Sequence, residues 1–111
     1  MRVADPPFIA CEELLWIQAD GNVTKLVAKV GIPYKVDDHL FRCPVELTGL
    51  DERYPDIAGE SSMQALCLAT SLLATRLGHL LEAGERLAYA GAPGEGQSAW
   101  DVDSINAVFG R

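Results

Sequence analysis

Basic side chains and long apolar runs are both scarce in this sequence. The longest apolar stretch is broken by Thr70, Ser71 and Thr75 before Arg76 follows, which makes it too short to span a membrane. The 9 Lys and Arg residues are scattered and are outnumbered by 16 Asp and Glu, so the net charge is −7. Nucleic acids and anionic membranes are bound through clustered basic side chains, so neither is expected as a partner.

Cysteine is also scarce, and its spacing argues against a disulfide scaffold. Cys11, Cys43 and Cys67 are an odd, widely spaced set without a Cys-x-x-Cys pair. Together with His39 and His79 they are a conceivable zinc set, but the pattern is more typical of buried thiols and surface histidines. The sequence therefore predicts no metal and no cofactor. The first residues also lack the apolar core of a signal peptide, which favours a cytoplasmic location.

Apolar alternation predicts strands in the first half of the chain. Residues 8–19 alternate imperfectly, because Glu12 and Glu13 interrupt one face each, whereas residues 23–32 alternate cleanly. Asp20-Gly21-Asn22 between them accepts the backbone angles of a tight hairpin turn. A third strand is expected at residues 40–48, where Pro44 indicates an edge or a bulge. Residues 35–38 and 49–60 are expected to be polar loops, the second with solvated carboxylates.

A long helix is predicted from Ser61 to Leu81 or Ala83. Ser61 is a suitable N-cap, Gln64 three residues later completes a capping box, and Gly84 is placed to cap the other end. The residues that recur at helical spacing are expected to form the buried face: Met63, Leu66, Thr70, Leu73, Leu77, Leu80 and Leu81.

The remaining segments complete the predicted fold. Residues 85–90 can form a fourth strand, residues 91–96 a flexible loop, and residues 101–109 a short helix capped by Asp103. The predicted fold class is α+β: an antiparallel β-meander of three to four strands, in the order β-β-β-α-β, with one long α-helix packed on one face. The 111 residues suit a single domain, with a flexible N-terminus (1–7), a core (8–92), and a glycine-rich loop with a C-terminal segment (93–111).

The face of the long helix opposite its expected buried side is unusually apolar. It carries Ala65, Leu68 and Leu72 before it becomes polar near Arg76. A helix that lies on one sheet should be polar there, so we expect this face to be covered. The C-terminal segment around Val108 or a second subunit are the two candidates. Leu68, Leu72 and Arg76 are therefore the candidate interface of a homodimer.

No group of residues predicts catalysis. A thiol enzyme needs a Cys close to a His in an electropositive pocket, and His39 and Cys43 are the pair closest in sequence. The neighbouring Asp37, Asp38 and Glu46 do not favour a thiolate at this position. No catalytic residue is predicted.

The order of these segments resembles a small bacterial family of uncharacterised domains. The resemblance is carried by Cys43-Pro44 in a strand, Gly49-Leu50 at a turn and Gln64-Ala65-Leu66-x-Leu68-Ala69 on a helix, and it covers approximately residues 8–92. Members usually place Asp where this chain has Ser61, and both residues cap helices. The family carries no established activity, so the resemblance implies an architecture and no mechanism.

Three functions are compatible with the sequence. The first is a non-enzymatic binding or protein-interaction module that forms a homodimer. The second is an immunity-type or antitoxin-like protein whose acidic surface binds a basic partner. The third is a small hydrolase or ligand-binding enzyme that uses Cys43 and His39.

Overall fold

Residues 7–90 and 99–110 are described by a computed structural model, in which they form eight strands and two helices. The strands are β1 (Phe8–Ile17), β2 (Val23–Gly31), β3 (Tyr34–Asp37), β4 (Leu40–Cys43), β5 (Val45–Thr48), β6 (Glu52–Arg53), β7 (Ile57–Gly59) and β8 (Arg86–Tyr89). The helices are α1 (Ser62–Glu82) and α2 (Val102–Phe109). The predicted loop at residues 91–96 and nearly all of the predicted flexible N-terminus lie outside the described residues.

The strands form two antiparallel sheets. The larger sheet has the order β6-β5-β2-β1-β8 and the smaller one β3-β4-β7. The predicted α+β class, with antiparallel strands and one main helix packed against them, is confirmed. The prediction of a single meander of three to four strands is wrong, because the described residues contain eight strands in two sheets.

Pro44 explains much of that difference. The predicted third strand at 40–48 is divided at this residue: β4 belongs to the smaller sheet and β5 to the larger one. Proline has no N–H to donate, so a ladder cannot continue through it, and the chain passes from one sheet to the other. The remaining unpredicted strands, β3, β6 and β7, contain only two to four residues each and lie largely in segments expected to be loops.

The first hairpin is confirmed. β1 and β2 pair antiparallel from Ile17↔Val23 to Phe8↔Gly31. At the tip, Gly21 adopts a φ of 91°, which a residue without a Cβ reaches with little strain. This pairing forms the centre of the larger sheet.

Helix α1 is bounded by two hydrogen-bonded caps. Ser61 is its N-cap, and its hydroxyl accepts the amide of Gln64 at 3.1 Å. The Gln64 side chain in turn accepts the amide of Glu60 at 2.6 Å, one residue earlier than in the expected capping box. At the other end, the amides of Gly84 and Glu85 donate to carbonyls of the last turn, and Gly84 has a positive φ of 86°. The predicted glycine cap is confirmed as a Schellman motif.

The buried face of α1 contains more alanine than expected. Its buried residues are Ala65, Ala69, Leu73, Ala74, Leu77 and Leu80. Met63, predicted to be buried, is 69% exposed, and Ala65, predicted on the opposite face, is fully buried. The reason is the smaller sheet, which lies against this side of the helix: a Cβ on Gly59 would come within 2.5 Å of the backbone nitrogen of Ala65. Only small side chains fit so close an approach.

Helix α2 covers another part of α1. Ile105 and Phe109 are buried, while Val108 is 39% exposed. The cap is Asp101 and not Asp103 as predicted, because the Asp101 carboxylate accepts the amide of Ser104 at 2.8 Å. The two sheets and two helices thus share one core.

Candidate functional site

An apolar groove lies between the β1–β2 hairpin and the two helices. Its volume is about 160 Å³. The strands contribute Ala10, Cys11, Glu12, Ala28 and Val30, and the helices contribute Thr70, Leu73, Val108 and Phe109. The hairpin and two helices that are distant from it in sequence therefore meet around one opening.

The strand register explains why the groove is there. Ala10↔Val30, Glu12↔Ala28 and Leu14↔Leu26 are cross-strand pairs, so alternate residues of β1 share a face with their partners on β2. Leu14 and Leu26 are fully buried, whereas Ala10, nearer the start of the strand, is exposed. The small side chains of Ala10 and Ala28 leave the space that larger residues fill further along the sheet.

Glu12 is the single charged residue among the described residues that line this groove. It is half-buried and makes no hydrogen bond or ion pair with any residue that the structure describes. The neighbouring Glu13 differs, because it points to the other face of the sheet and pairs with Lys25 at 3.0 Å. An unpaired carboxylate in an apolar lining provides a fixed negative charge for a bound cation. In the sequence, Glu12 could be noticed because it interrupts the apolar alternation of residues 8–19.

One edge of β1, next to the groove, is unpaired over part of its length by the residues that the structure describes. Strand β8 pairs with β1 only from Leu14↔Tyr89 to Ile17↔Arg86. On that side, the segment from Phe8 to Glu13 has no strand partner within residues 7–90 and 99–110. Ile9 in this segment is 54% exposed. An unpaired strand edge presents free N–H and C=O groups to a partner.

The Cys43 and His39 pair is not brought together. Cys43 is fully buried in β4, and its Sγ lies 3.5 Å from the carbonyl oxygen of Gly31. Burial is the main cause that raises the pKa of the Cys43 thiol to about 11, with the charge of Asp56 adding to it. His39 is exposed in the β3–β4 turn, four residues along, or about 13 Å away on an extended chain. This geometry disfavours an activated thiolate.

The other cysteines and the metal-ligating residues are dispersed. Cys11 and Cys67 are exposed, unlike the buried thiols that were expected, and both are free. In the described part of the chain, no group of three or more His, Cys, Asp or Glu is arranged to hold a metal ion.

A buried ionic cluster lies between the smaller sheet and β6. Asp56 is 4% exposed, so the expectation of solvated carboxylates in this segment is wrong here. Its two oxygens accept the Tyr34 hydroxyl at 2.6 Å and an Arg53 Nη2 at 2.8 Å. Burial, followed by the hydrogen bond to Asp56, raises the pKa of Tyr34 to about 12. No sequence pattern linked these positions, because each bond joins short elements that the pattern did not resolve.

The three candidate interface residues have three different environments. Leu68 is 45% exposed, while Leu72 is half-buried and packs against the core. Arg76 is engaged within the chain, where its Nη2 lies 3.2 Å from Oδ1 of Asp51. The same carboxylate accepts the hydroxyl of Tyr54 at 2.5 Å. Hydrogen bonding from Arg76 is the main cause that lowers the pKa of Asp51.

Comparisons with known proteins add no relative: no family model, curated protein or solved structure matches the chain. The resemblance to uncharacterised bacterial domains therefore stays a prediction. Within the described ranges, no helix combines the length and hydrophobicity needed to cross a membrane.

Proposed function

We propose that this protein is a non-enzymatic interaction module that binds an apolar part of a protein partner in the groove between the hairpin and the helices. The observation that carries the proposal is the groove itself: of the nine described residues that line it, eight are uncharged and apolar or small. Binding sites are commonly concave and mostly apolar, with a few polar groups that fix orientation. Glu12 supplies such a group here.

The enzymatic alternative has less support. The groove contains a single titratable carboxylate beside the free thiol of Cys11, and general acid–base or nucleophilic chemistry needs partners within hydrogen-bond reach. Cys43, the thiol of the proposed hydrolase, is buried, and its pKa of about 11 keeps it protonated at neutral pH.

A homodimer is the second candidate, and the exposure of Leu68 favours it. Leu68 is 45% exposed, and the half-buried Leu72 lies four residues further along the same face, so α1 has an apolar surface that a second copy could cover. The partner would then contact this surface of α1, and the groove would remain free.

The groove proposal is tested with hexan-1-ol, whose six-carbon chain suits a narrow apolar space. In a ¹³C-labelled sample, we expect saturable chemical-shift changes at the methyl groups of Val30, Leu73 and Val108. Ala10→Trp should abolish them, because Ala10 lines the groove and is exposed, so that the indole can fill the space.

Ala58→Trp is the matched control, since Ala58 is an exposed strand residue outside the groove lining. It should leave the shift changes intact. Shift changes spread evenly over the core, or an equal response in both variants, would contradict the proposal.

A further inference from the structure

The open edge of β1 has hydrogen-bonding groups aimed away from the sheet. Gln18 and Asn22 are hydrogen-bonded at the hairpin end, with the Gln18 amide donating to the Asn22 carbonyl at 2.8 Å. Residues of an antiparallel pair alternate between bonding their neighbour and facing outward. Because Gln18 bonds to the β2 side, every second residue before it on β1 does the same, and the backbone groups of the residues between them face outward. In the segment that β8 does not reach, these outward-facing residues include Cys11 and Glu13.

A strand added at this edge would place alternate side chains beside the groove. The inner face of the larger sheet carries Ala10 and Glu12 at this point, and the outer face carries Cys11 and Glu13. Side chains of the added strand that share the inner face would meet the apolar lining and the unpaired Glu12 carboxylate. Main-chain pairing supplies affinity in such complexes, and pockets for alternate side chains supply specificity.

We infer that the groove and the open edge of β1 together bind an extended segment of a basic partner, which adds a strand beside Phe8–Glu13 and presents apolar residues and one Lys or Arg to the groove. This rests on the proposed function, and it names the partner's chemistry and its mode of binding. Charge complementarity indicates that the partner is basic, because Glu12 is unpaired among the described residues and the chain carries a net charge of −7.

A second copy of this chain is a poorer occupant of the edge. An added β1 strand would bring its own Glu12 and Glu13 to a site that already carries both. Like charges on neighbouring strands destabilise a sheet, and both chains would carry the same net charge. A basic segment meets neither penalty.

The probes are three blocked heptapeptides titrated into the ¹⁵N-labelled full chain. The first, Thr-Val-Thr-Lys-Thr-Val-Thr, carries Val, Lys and Val on one face of a strand. The second replaces its Lys with Glu, and the third replaces the Thr residues on either side of Lys with Pro, which removes two backbone donors. Hydrogen exchange at the amides of Cys11 and Glu13 is the readout of strand pairing.

We expect these two amides to exchange quickly in the free protein and to become protected when the Lys peptide is added. The Lys peptide should bind about fivefold more tightly than the Glu peptide, which is the upper range for a partly exposed ion pair. Glu12→Gln should remove that preference, whereas Glu13→Gln should keep it, because Glu13 faces Lys25 on the other side of the sheet.

Several results would overturn the inference. These are protection of the Cys11 and Glu13 amides before any peptide is added, equal binding of the proline peptide, or a preference for the Glu peptide. If hexan-1-ol binds but the peptides do not pair with β1, strand addition is contradicted and the groove proposal still holds. If the Lys peptide still pairs with β1 in Ala10→Trp, the edge of β1 binds the peptide but the groove takes no part in that binding.

Discussion

Tyr34 and Asp56 are joined by a 2.6 Å hydrogen bond, which the hydroxyl of Tyr34 donates to a carboxylate that is fully buried. Tyr34 begins β3, and Asp56 immediately precedes β7, so the bond links the two edge strands of the smaller sheet. Arg53 neutralises the same carboxylate from the β6 side. The smaller sheet therefore depends on a polar cluster as well as on apolar packing.

Removal of this hydrogen bond should destabilise the protein. Tyr34→Phe leaves a buried carboxylate oxygen without one of its donors, and a hydrogen bond to a charged group is worth about 1.5–3 kcal/mol. Tyr89→Phe is the matched control, because the Tyr89 hydroxyl makes no hydrogen bond with a described residue and its ring contact with Trp100 is kept. Urea unfolding at pH 7 measures both. Equal midpoints for the two variants would show that the bond contributes nothing.

The same tyrosine should make stability fall at alkaline pH. Burial and Asp56 raise the pKa of Tyr34 from 10.0 to about 12, so the folded protein keeps a proton that the unfolded chain has released. The stabilisation is complete below pH 10 and is lost as the pH rises through 12. Tyr34→Phe should therefore lose less stability than the wild type between pH 8.5 and 11. A parallel loss in both proteins would assign the effect to other groups.

Acid sensitivity should arise in part from Asp51. Hydrogen bonding by Arg76 lowers the pKa of this carboxyl below 3.8, so its contribution is present above that pH and lost as the pH falls through the folded value. Arg76→Met should cost about 1 kcal/mol or less at pH 7, because both side chains are partly exposed. It should also flatten the dependence of stability on pH between 2 and 4. Lys35→Met, which removes a more exposed pair with Asp38, should leave that dependence unchanged.

Gly59 and Gly78 should respond in opposite ways to replacement by alanine. Gly59→Ala would place a Cβ 2.5 Å from the backbone nitrogen of Ala65, and overpacking of this kind costs about 1–3 kcal/mol. Gly78→Ala meets nothing within 4 Å, and alanine favours a helix interior over glycine by about 0.5–1 kcal/mol. Thermal unfolding should show one midpoint lowered and the other raised. A midpoint for Gly59→Ala at the wild-type value would contradict the close approach of β7 and α1.

Substitution of Leu68 and of Leu72 should affect stability to different extents, although the two residues are four positions apart on one helix. Leu68→Lys should change stability by less than about 0.5 kcal/mol, since Leu68 is 45% exposed. Leu72→Lys should destabilise by about 1–3 kcal/mol, because Leu72 packs against the core. Light scattering on the folded Leu68→Lys variant tests the homodimer: a dimeric wild type that becomes monomeric supports it. A monomeric wild type would contradict the homodimer.

The elements that the sequence predicted are those determined by local chemistry. The hairpin depends on Gly21 and its two neighbours, and the ends of α1 depend on Ser61 and Gly84. These signals act within a few residues, so a sequence pattern carries them. The smaller sheet depends on pairings such as Arg42↔Ala58, between strands of three or four residues that are too short to show an alternation.

The candidate site was predictable only in part. Glu12 was visible as an interruption of an apolar face, but the pattern did not show that Ala10 and Ala28 would leave space next to it. That space exists because α2 reaches the hairpin and presents Val108 and Phe109 to it. Helical spacing also predicted Met63 on the buried face and Ala65 on the opposite one, whereas the close approach of β7 selects the small side chain of Ala65 for burial.

The pairing of β1 with β8 affects the order in which the larger sheet can form. Leu14 lies opposite Tyr89, so the second strand to flank β1 is synthesised only after the 21 residues of α1. The hairpin can form early from contacts within one short stretch, but its apolar face stays uncovered until α1 follows. Closing so long a loop slows folding, because its entropy cost precedes the contacts that repay it.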